Sequence, residues 1–224
     1  MHIPDGFIDI PTSAAFAAIA AGGIAASLKG AKSSLDDKTA PLAGLTATFI
    51  FAVQMLNFPV AAGTSGHLLG AALATVLVGP YAATLAITIV LLLQALLFAD
   101  GGLSALGLSV FNMSIIAVWV SYAIFLALKK ILPKTKSSTT AAAGVAALIS
   151  VPAAAAGFVL QYAIGANATF SVGAVLTAMV GTHILIGIGE ALITLFAVGA
   201  VLASRSDLVY GYTGEKASLE IRNA

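Results

Sequence analysis

Long apolar runs separated by short polar clusters dominate this chain. No Lys, Arg, Asp or Glu occurs between Lys38 and Asp100, and none between Lys136 and Glu190. A helix that crosses a bilayer needs about 20 apolar residues. Each run must therefore hold several spans, and Gly, Pro and small polar clusters mark the divisions. The pattern predicts seven helices. The first runs from about Thr12 to Leu28, started by Pro11 and the Thr12-Ser13 pair. The second covers about Pro41 to Leu56, and the third, short one runs from about His67 to Val78, before Gly79-Pro80. The fourth runs from Tyr81 to Ala99, up to the turn Asp100-Gly101-Gly102, and the fifth from Ser104 to Leu128. The sixth covers about Thr140 to Ile164. The seventh covers Ser171 to Ala203, with Gly181, Gly187 and Gly189 as places where it could bend.

The predicted class is thus an all-α, polytopic membrane helix bundle, one domain over residues 1–224. Composition agrees. Charged residues make up 8% of the chain and hydrophobic ones 60%, and the mean hydropathy is +1.06. A soluble domain carries roughly a quarter charged residues. Cysteine is absent, which removes disulfides and thiolate metal sites. The net charge of +1 and the lack of a basic patch interleaved with aromatics give no reason to expect nucleic acid.

Charge placement sets the expected direction. All ten Lys and Arg lie in the first loop, the loop after the fifth helix and the C-terminal tail. With seven helices these fall on one side, which the positive-inside rule makes the cytoplasm. The expected location is the cell inner (plasma) membrane, with residues 205–224 a cytoplasmic tail. Residues 1–11 are then extracytoplasmic. They lack the basic region and cleavage site of a signal peptide, so Met1 is expected to be the mature terminus. In the first helix Ala14, Ala18, Gly22 and Ala17, Ala21, Ala25 recur at i, i+4, i+8. Such small residues allow close helix contact, within the bundle or with another membrane subunit.

Of three histidines, His2 follows the residue that carries the terminal amine. The Met1 α-amine, the His2 backbone nitrogen and the His2 Nδ1 can close a five- and a six-membered chelate ring on one ion. An all-nitrogen, planar set that includes a deprotonated amide suits Ni(II) or Cu(II). A nitrogen from His67 would complete the plane. His67 lies in Ala62-Gly63-Thr64-Ser65-Gly66-His67-Leu68-Leu69-Gly70. There Thr64 and Ser65 could cap a helix or orient the ligands from behind. Asp5-Gly6 reads as a turn, and Asp5 could also accept from the His2 ring.

The opening Met1-His2-Ile3-Pro4-Asp5-Gly6-Phe7 and the segment Gly66-His67-Leu68-Leu69-Gly70 resemble the CbiM/NikM family, the substrate-specific subunits of energy-coupling factor (ECF) transporters for cobalt and nickel. The resemblance spans essentially the whole chain. It implies ligation of Ni(II) or Co(II), as transported substrate, by the Met1 amine, the His2 amide and imidazole, and His67. It also implies partners: a membrane coupling subunit, a pair of cytoplasmic ATPases and, in many systems, a small accessory membrane subunit. The chain carries no Gly-x-x-x-x-Gly-Lys-Ser/Thr loop of its own, so it reads as a transporter subunit rather than an enzyme.

Intramembrane polar residues suggest function by default. Asn112 and His183 are expected at depths of about 12 and 18 Å at ~1.5 Å per residue. That makes His183 too deep to bind the ion directly. His183, Gly187 and Glu190 share one helix face. They could bond to Gln54, Gln94 or Asn112, or line the floor of the metal pocket. Two other readings were weighed. Gly63-Thr64-Ser65-Gly66 matches the pattern of rhomboid-like intramembrane proteases, with Ser65 as nucleophile and His183 as base. A passive metal channel would need a polar path for which Asn112, His183 and Glu190 are too few.

Overall fold

A computed structural model describes residues 1–33, 35–60 and 64–214, with the backbone alone for residues 58–60, 64 and 65. The described helices are α1 (Ile10–Ala31), α2 (Thr39–Gln54), α3 (Ala71–Val78), α4 (Pro80–Leu97), α5 (Leu106–Val110), α6 (Ala117–Ile131), α7 (Lys136–Gly165) and α8 (Val172–Ser204). A π-helical segment, Phe111–Ile116, joins α5 to α6, so Leu106–Ile131 is one continuous rod. Seven rods therefore stand where seven were expected. Five of them are long and apolar enough to cross a membrane. α2, with 16 residues, is shorter, and α3, with 8 residues, extends only about 12 Å.

Local chemistry fixes the helix starts. Asp9 caps α1 by accepting from the Thr12 N–H at 2.8 Å, with Pro11 in the first turn. Thr135 and Ser171 cap α7 and α8 through the Ser138 and Ala174 N–H groups. α8 is unbroken across its glycines. Gly187 serves close contact instead: a Cβ there would lie 2.9 Å from the Leu148 carbonyl oxygen of α7, and α7 and α8 form the most extensive helix pair.

The short α3 is the centre of the bundle. All eight of its residues are buried, against α2, α4, α6, α7 and α8. The helix expected from His67 begins only at Ala71. Gly70 adopts φ +75°, and the Glu190 carboxyl group accepts from the N–H of Leu69 at 2.6 Å and of Gly70 at 3.0 Å. Those two N–H groups are thereby committed, and residues 67–70 stay outside the helix. Just upstream, β1 (Phe58–Val60) pairs antiparallel with β2 (Thr64–Gly66), Phe58 opposite Gly66.

Large apolar side chains such as Ile10, Leu97, Leu185 and Phe196 face outward, as a lipid surround requires. In α1 the buried positions are Thr12, Ser13, Phe16, Ala20, Ser27 and Ala31. Ala14, Ala18, Gly22, Ala21 and Ala25 are exposed, so this small-residue stripe does not pack inside the chain. Only Ala17 does, half-buried against Gly107.

The two ends of the bundle differ in charge as expected. At one end the first loop and the C-terminal segment line a common cavity that includes Asp36, Lys38, Asp207 and Tyr210. There Lys129 Nζ donates to the Gly211 carbonyl at 2.7 Å. At the other end lie Asp5, Asp9 and Asp100, stitched together through the N-terminal segment.

Candidate metal centre

The N-terminal segment enters the bundle rather than resting on it. Met1 and Ile3 have no exposure, Ile8 has 4% and His2 has 5%. Backbone bonds seat it: Gly102 N–H donates to the Ile3 carbonyl at 2.8 Å, Asp9 N–H to Gly165 at 2.7 Å and Asn167 N–H to Phe7 at 3.1 Å. Ile3 N–H reaches Ser109 Oγ at 3.3 Å. Phe7 packs on Phe158 and Tyr162. A Cβ on Gly102 would lie 2.3 Å from the Asp5 backbone nitrogen. Only glycine lets this turn meet the entering chain.

This insertion brings His2 and His67 together. Their rings stack with centroids 4.8 Å apart and planes inclined by 29°. His67 Nδ1 lies 2.9 Å from the Leu68 carbonyl oxygen, to which it donates. That choice of tautomer leaves the Nε2 lone pair available, and this buried atom has no hydrogen-bond partner among the described residues. His2 Nε2 is also buried and without a hydrogen bond, although Asp100 Oδ2 stands 3.5 Å away. At that separation the pair is an electrostatic contact rather than a hydrogen bond. Asn57 Nδ2 holds the same Asp100 oxygen at 2.7 Å.

Electrostatics favour the proton-free form of the amine and of both imidazoles. Burial pushes the Met1 amine down from 8.0 to about 5, opposed in part by Asp100. Burial, then the neighbouring amine, pushes His2 from 6.5 to about 3. His67 is held well below 6.5 by burial, by the amine, by His2 and, more weakly, by His183. Metal ligands must be deprotonated, and these nitrogens are so at neutral pH. No three His, Cys, Asp or Glu side chains converge as a metal cluster among the described residues. A site here depends on main-chain nitrogens as well as two imidazoles. The donor set fits a nitrogen-preferring transition-metal ion.

The other expected residues fall as follows. Asp5 does not orient His2: its carboxylate accepts from the backbone and hydroxyl of Ser104. Asp100 occupies the place beside His2 instead. It was legible only as part of a turn, because 98 residues separate it from His2. Thr64 and Ser65 lie in β2 rather than at a helix start, and their side chains are outside the described residues. Asn112 donates to Gln161 Oε1 at 2.8 Å, on the π-helical segment. His183 is fully buried, and its Nδ1 lies 2.7 Å from the Met179 carbonyl of its own helix. Of the two roles open to it, a hydrogen bond to Gln54, Gln94 or Asn112 is not made among the described residues. Gln54 donates to the Leu69 carbonyl at 2.8 Å, and so helps Glu190 hold the segment after His67. Glu190, expected to bond to a polar side chain or line the pocket floor, instead anchors that segment through the N–H groups of Leu69 and Gly70.

The fold defines a multi-pass membrane protein with a buried nitrogen cluster at its N-terminal segment. The chain belongs to the CbiM family: residues 2–208 match the "Cobalt uptake substrate-specific transmembrane region". It is 31% identical over 216 residues to the cobalt transport protein CbiM of Sorangium cellulosum, covering 93% of this chain and 94% of that protein. It is 38% identical over 125 residues to the fused nickel transport protein NikMN of Rhodobacter capsulatus, covering 56% of this chain and 36% of that one. The crystal structure of a truncated transition metal transporter superimposes with a TM-score of 0.84 at 30% identity, over 91% of this chain and 99% of that chain. The relatives compared are nickel and cobalt transport proteins by name, which does not favour the protease reading of Ser65 and His183.

Proposed function

We propose that this chain captures a nickel or cobalt ion with the Met1 amine, the His2 amide and Nδ1, and His67 Nε2, as the substrate-binding subunit of an ATP-driven ECF importer. The observation that carries this reading is the meeting of two imidazoles at a buried amine. Both rings present an unpartnered buried nitrogen. A buried polar atom left without a partner is costly, and an ion bound by this set would satisfy His67 Nε2. With Nδ1 of His2 on the ion, Nε2–H would face Asp100, the carboxylate–histidine–metal arrangement that orients such ligands.

The topology proposed with it places the N-terminal segment outside and the basic end in the cytoplasm. The described Lys and Arg residues gather at one end and the segment enters at the other, as the positive-inside rule asks. The energy source proposed is a cytoplasmic ATPase pair acting through a membrane coupling subunit, with a small accessory membrane subunit as a further partner. The exposed stripe of Ala14, Ala18 and Gly22 suits close contact with a membrane helix.

The test compares the purified chain starting at Met1 with one bearing a single added residue. The native chain should carry one nickel or cobalt ion with a planar-nitrogen spectrum, and the extended chain none. Addition converts the amine into a peptide nitrogen and moves His2 out of chelate position. Equal metal content in the two would overturn the proposal.

A further inference from the structure

His183 has no place in the four-nitrogen set, yet its surroundings are unusual for a packing histidine. It is fully buried on the inner face of α8. Its Nδ1 is turned back on its own helix, toward the Met179 carbonyl, which fixes the tautomer with the proton on Nδ1. Nε2, at the outer edge of the ring, is left with a lone pair and no partner among the described residues. His67 shows the same arrangement: Nδ1 engaged by a backbone carbonyl and Nε2 bare. Backbone-oriented Nδ1 with an available Nε2 is how a protein prepares a histidine to bind metal. His183 also shares the buried face of α8 with Glu190, which holds the N–H groups of Leu69 and Gly70 just after His67, and α8 packs against β2 just before it. Sequence reasoning set His183 aside as too deep, measuring from a surface N-terminus. Because Met1 is itself buried, that objection falls.

We propose that His183 is an exchange ligand, whose Nε2 takes the ion over from His67 when the site opens. This rests on the N-terminal chelate described above. One metal–nitrogen bond, to His67 Nε2, breaks as another, to His183 Nε2, forms. Both donors are neutral imidazoles with the proton on Nδ1, so neither net charge nor proton count changes. Such an exchange gives a tightly held ion a way to leave the plane without passing through a state that lacks a fourth donor.

The test counts imidazoles on a bound Cu2+ ion by pulsed electron paramagnetic resonance, using detergent-solubilised chain with its native N-terminus. The wild type should show two, His2 and His67. The His67→Ala variant should again show two, with His183 replacing the lost ligand, and His67→Ala/His183→Gln should show one. A Ni2+ titration should give the double variant at least about tenfold weaker binding than His67→Ala alone, since even outer partners of metal ligands are worth 10–100-fold. One imidazole in His67→Ala would overturn the exchange while leaving the chelate intact. Fewer than two in the wild type would overturn the chelate itself, and the exchange with it. The His67→Ala count decides the matter even if the double variant does not fold.

Discussion

Glu190 gives the sharpest test of how the bundle shapes the site. It is 2% exposed, and each of its oxygens has a job: Oε2 accepts from Leu69 N–H at 2.6 Å and Oε1 from Gly70 N–H at 3.0 Å. These bonds hold residues 67–70 outside the helix, so Glu190 positions His67 through Leu69 and Gly70. Glu190→Gln preserves size but substitutes an NH2 group for one acceptor, leaving one buried backbone N–H facing a donor. An unsatisfied buried N–H costs about 1–3 kcal/mol. If that falls on the binding-competent form of the segment, affinity drops tenfold for each ~1.4 kcal/mol, or about five- to a hundredfold in all. Gln54 still holds the Leu69 carbonyl, which favours the lower half of that range. The assay is a Ni2+ titration of the variant and the wild type, with a thermal melt of each. A folded Glu190→Gln protein with wild-type affinity would refute the claim that this carboxyl group positions His67.

Gly102→Ala should prevent the N-terminal segment from seating, because the added Cβ would lie 2.3 Å from the Asp5 backbone nitrogen; loss of Ni2+ binding in a protein that still elutes as a folded species checks this, and retained binding contradicts it. Metal-free stability should fall as pH drops. The amine and His2 have folded-state pKa values of about 5 and 3, below the 8.0 and 6.5 of the open chain, so the unfolded chain binds more protons as pH falls below 8. Melting temperature should therefore decline steadily from pH 8 toward pH 5, and a flat profile would be inconsistent with buried neutral ligands. For the same reason, proton competition for Ni2+ above pH 6 should come from the His2 amide alone. The affinity should then rise with a slope of about one proton per pH unit; a slope of three or four would mean that the amine and imidazoles are protonated before binding. Asp9→Ala should cost about 1 kcal/mol through loss of the α1 cap, read in a melt, with no change in Ni2+ affinity.

Helix number, helix order and the segregation of positive charge were legible in sequence because they follow from apolar run length and from ten widely grouped charges. The meeting of His2 with His67 was anticipated for a different reason: a histidine beside a terminal amine is a candidate chelator, and a second imidazole would complete its set. What was hidden is long-range. Glu190 and Leu69 are 121 residues apart, and no local pattern announces that a carboxyl group on α8 will claim the N–H groups just after His67. The start of α3 was misread for that reason. Asp5 was favoured over Asp100 beside His2 because it is near in sequence, whereas the turn at Gly101-Gly102 brings the distant residue closer. The π-helical segment around Asn112 had no signal at all in the apolar pattern.

The depth of the site changes what crossing the membrane requires. α3 starts beside the anchored segment that carries His67 and ends at the basic face, where Tyr210 and Gly211 donate their N–H groups to the Leu77 and Val76 carbonyls. At ~1.5 Å per residue its eight residues span only about 12 Å. On the proposed chelate and topology, an ion at Met1, His2 and His67 would already lie past the outer part of the bundle, with the buried α3 flanking the remainder. Both ends of α3 are fastened by one continuous stretch of chain: Glu190 of α8 at its start and the segment after α8 at its finish. A helix fixed in this way cannot shift at the basic face without drawing on Leu69 and Gly70. The segment that presents His67 is thus mechanically tied to the end of the molecule where the first loop and the C-terminal segment meet.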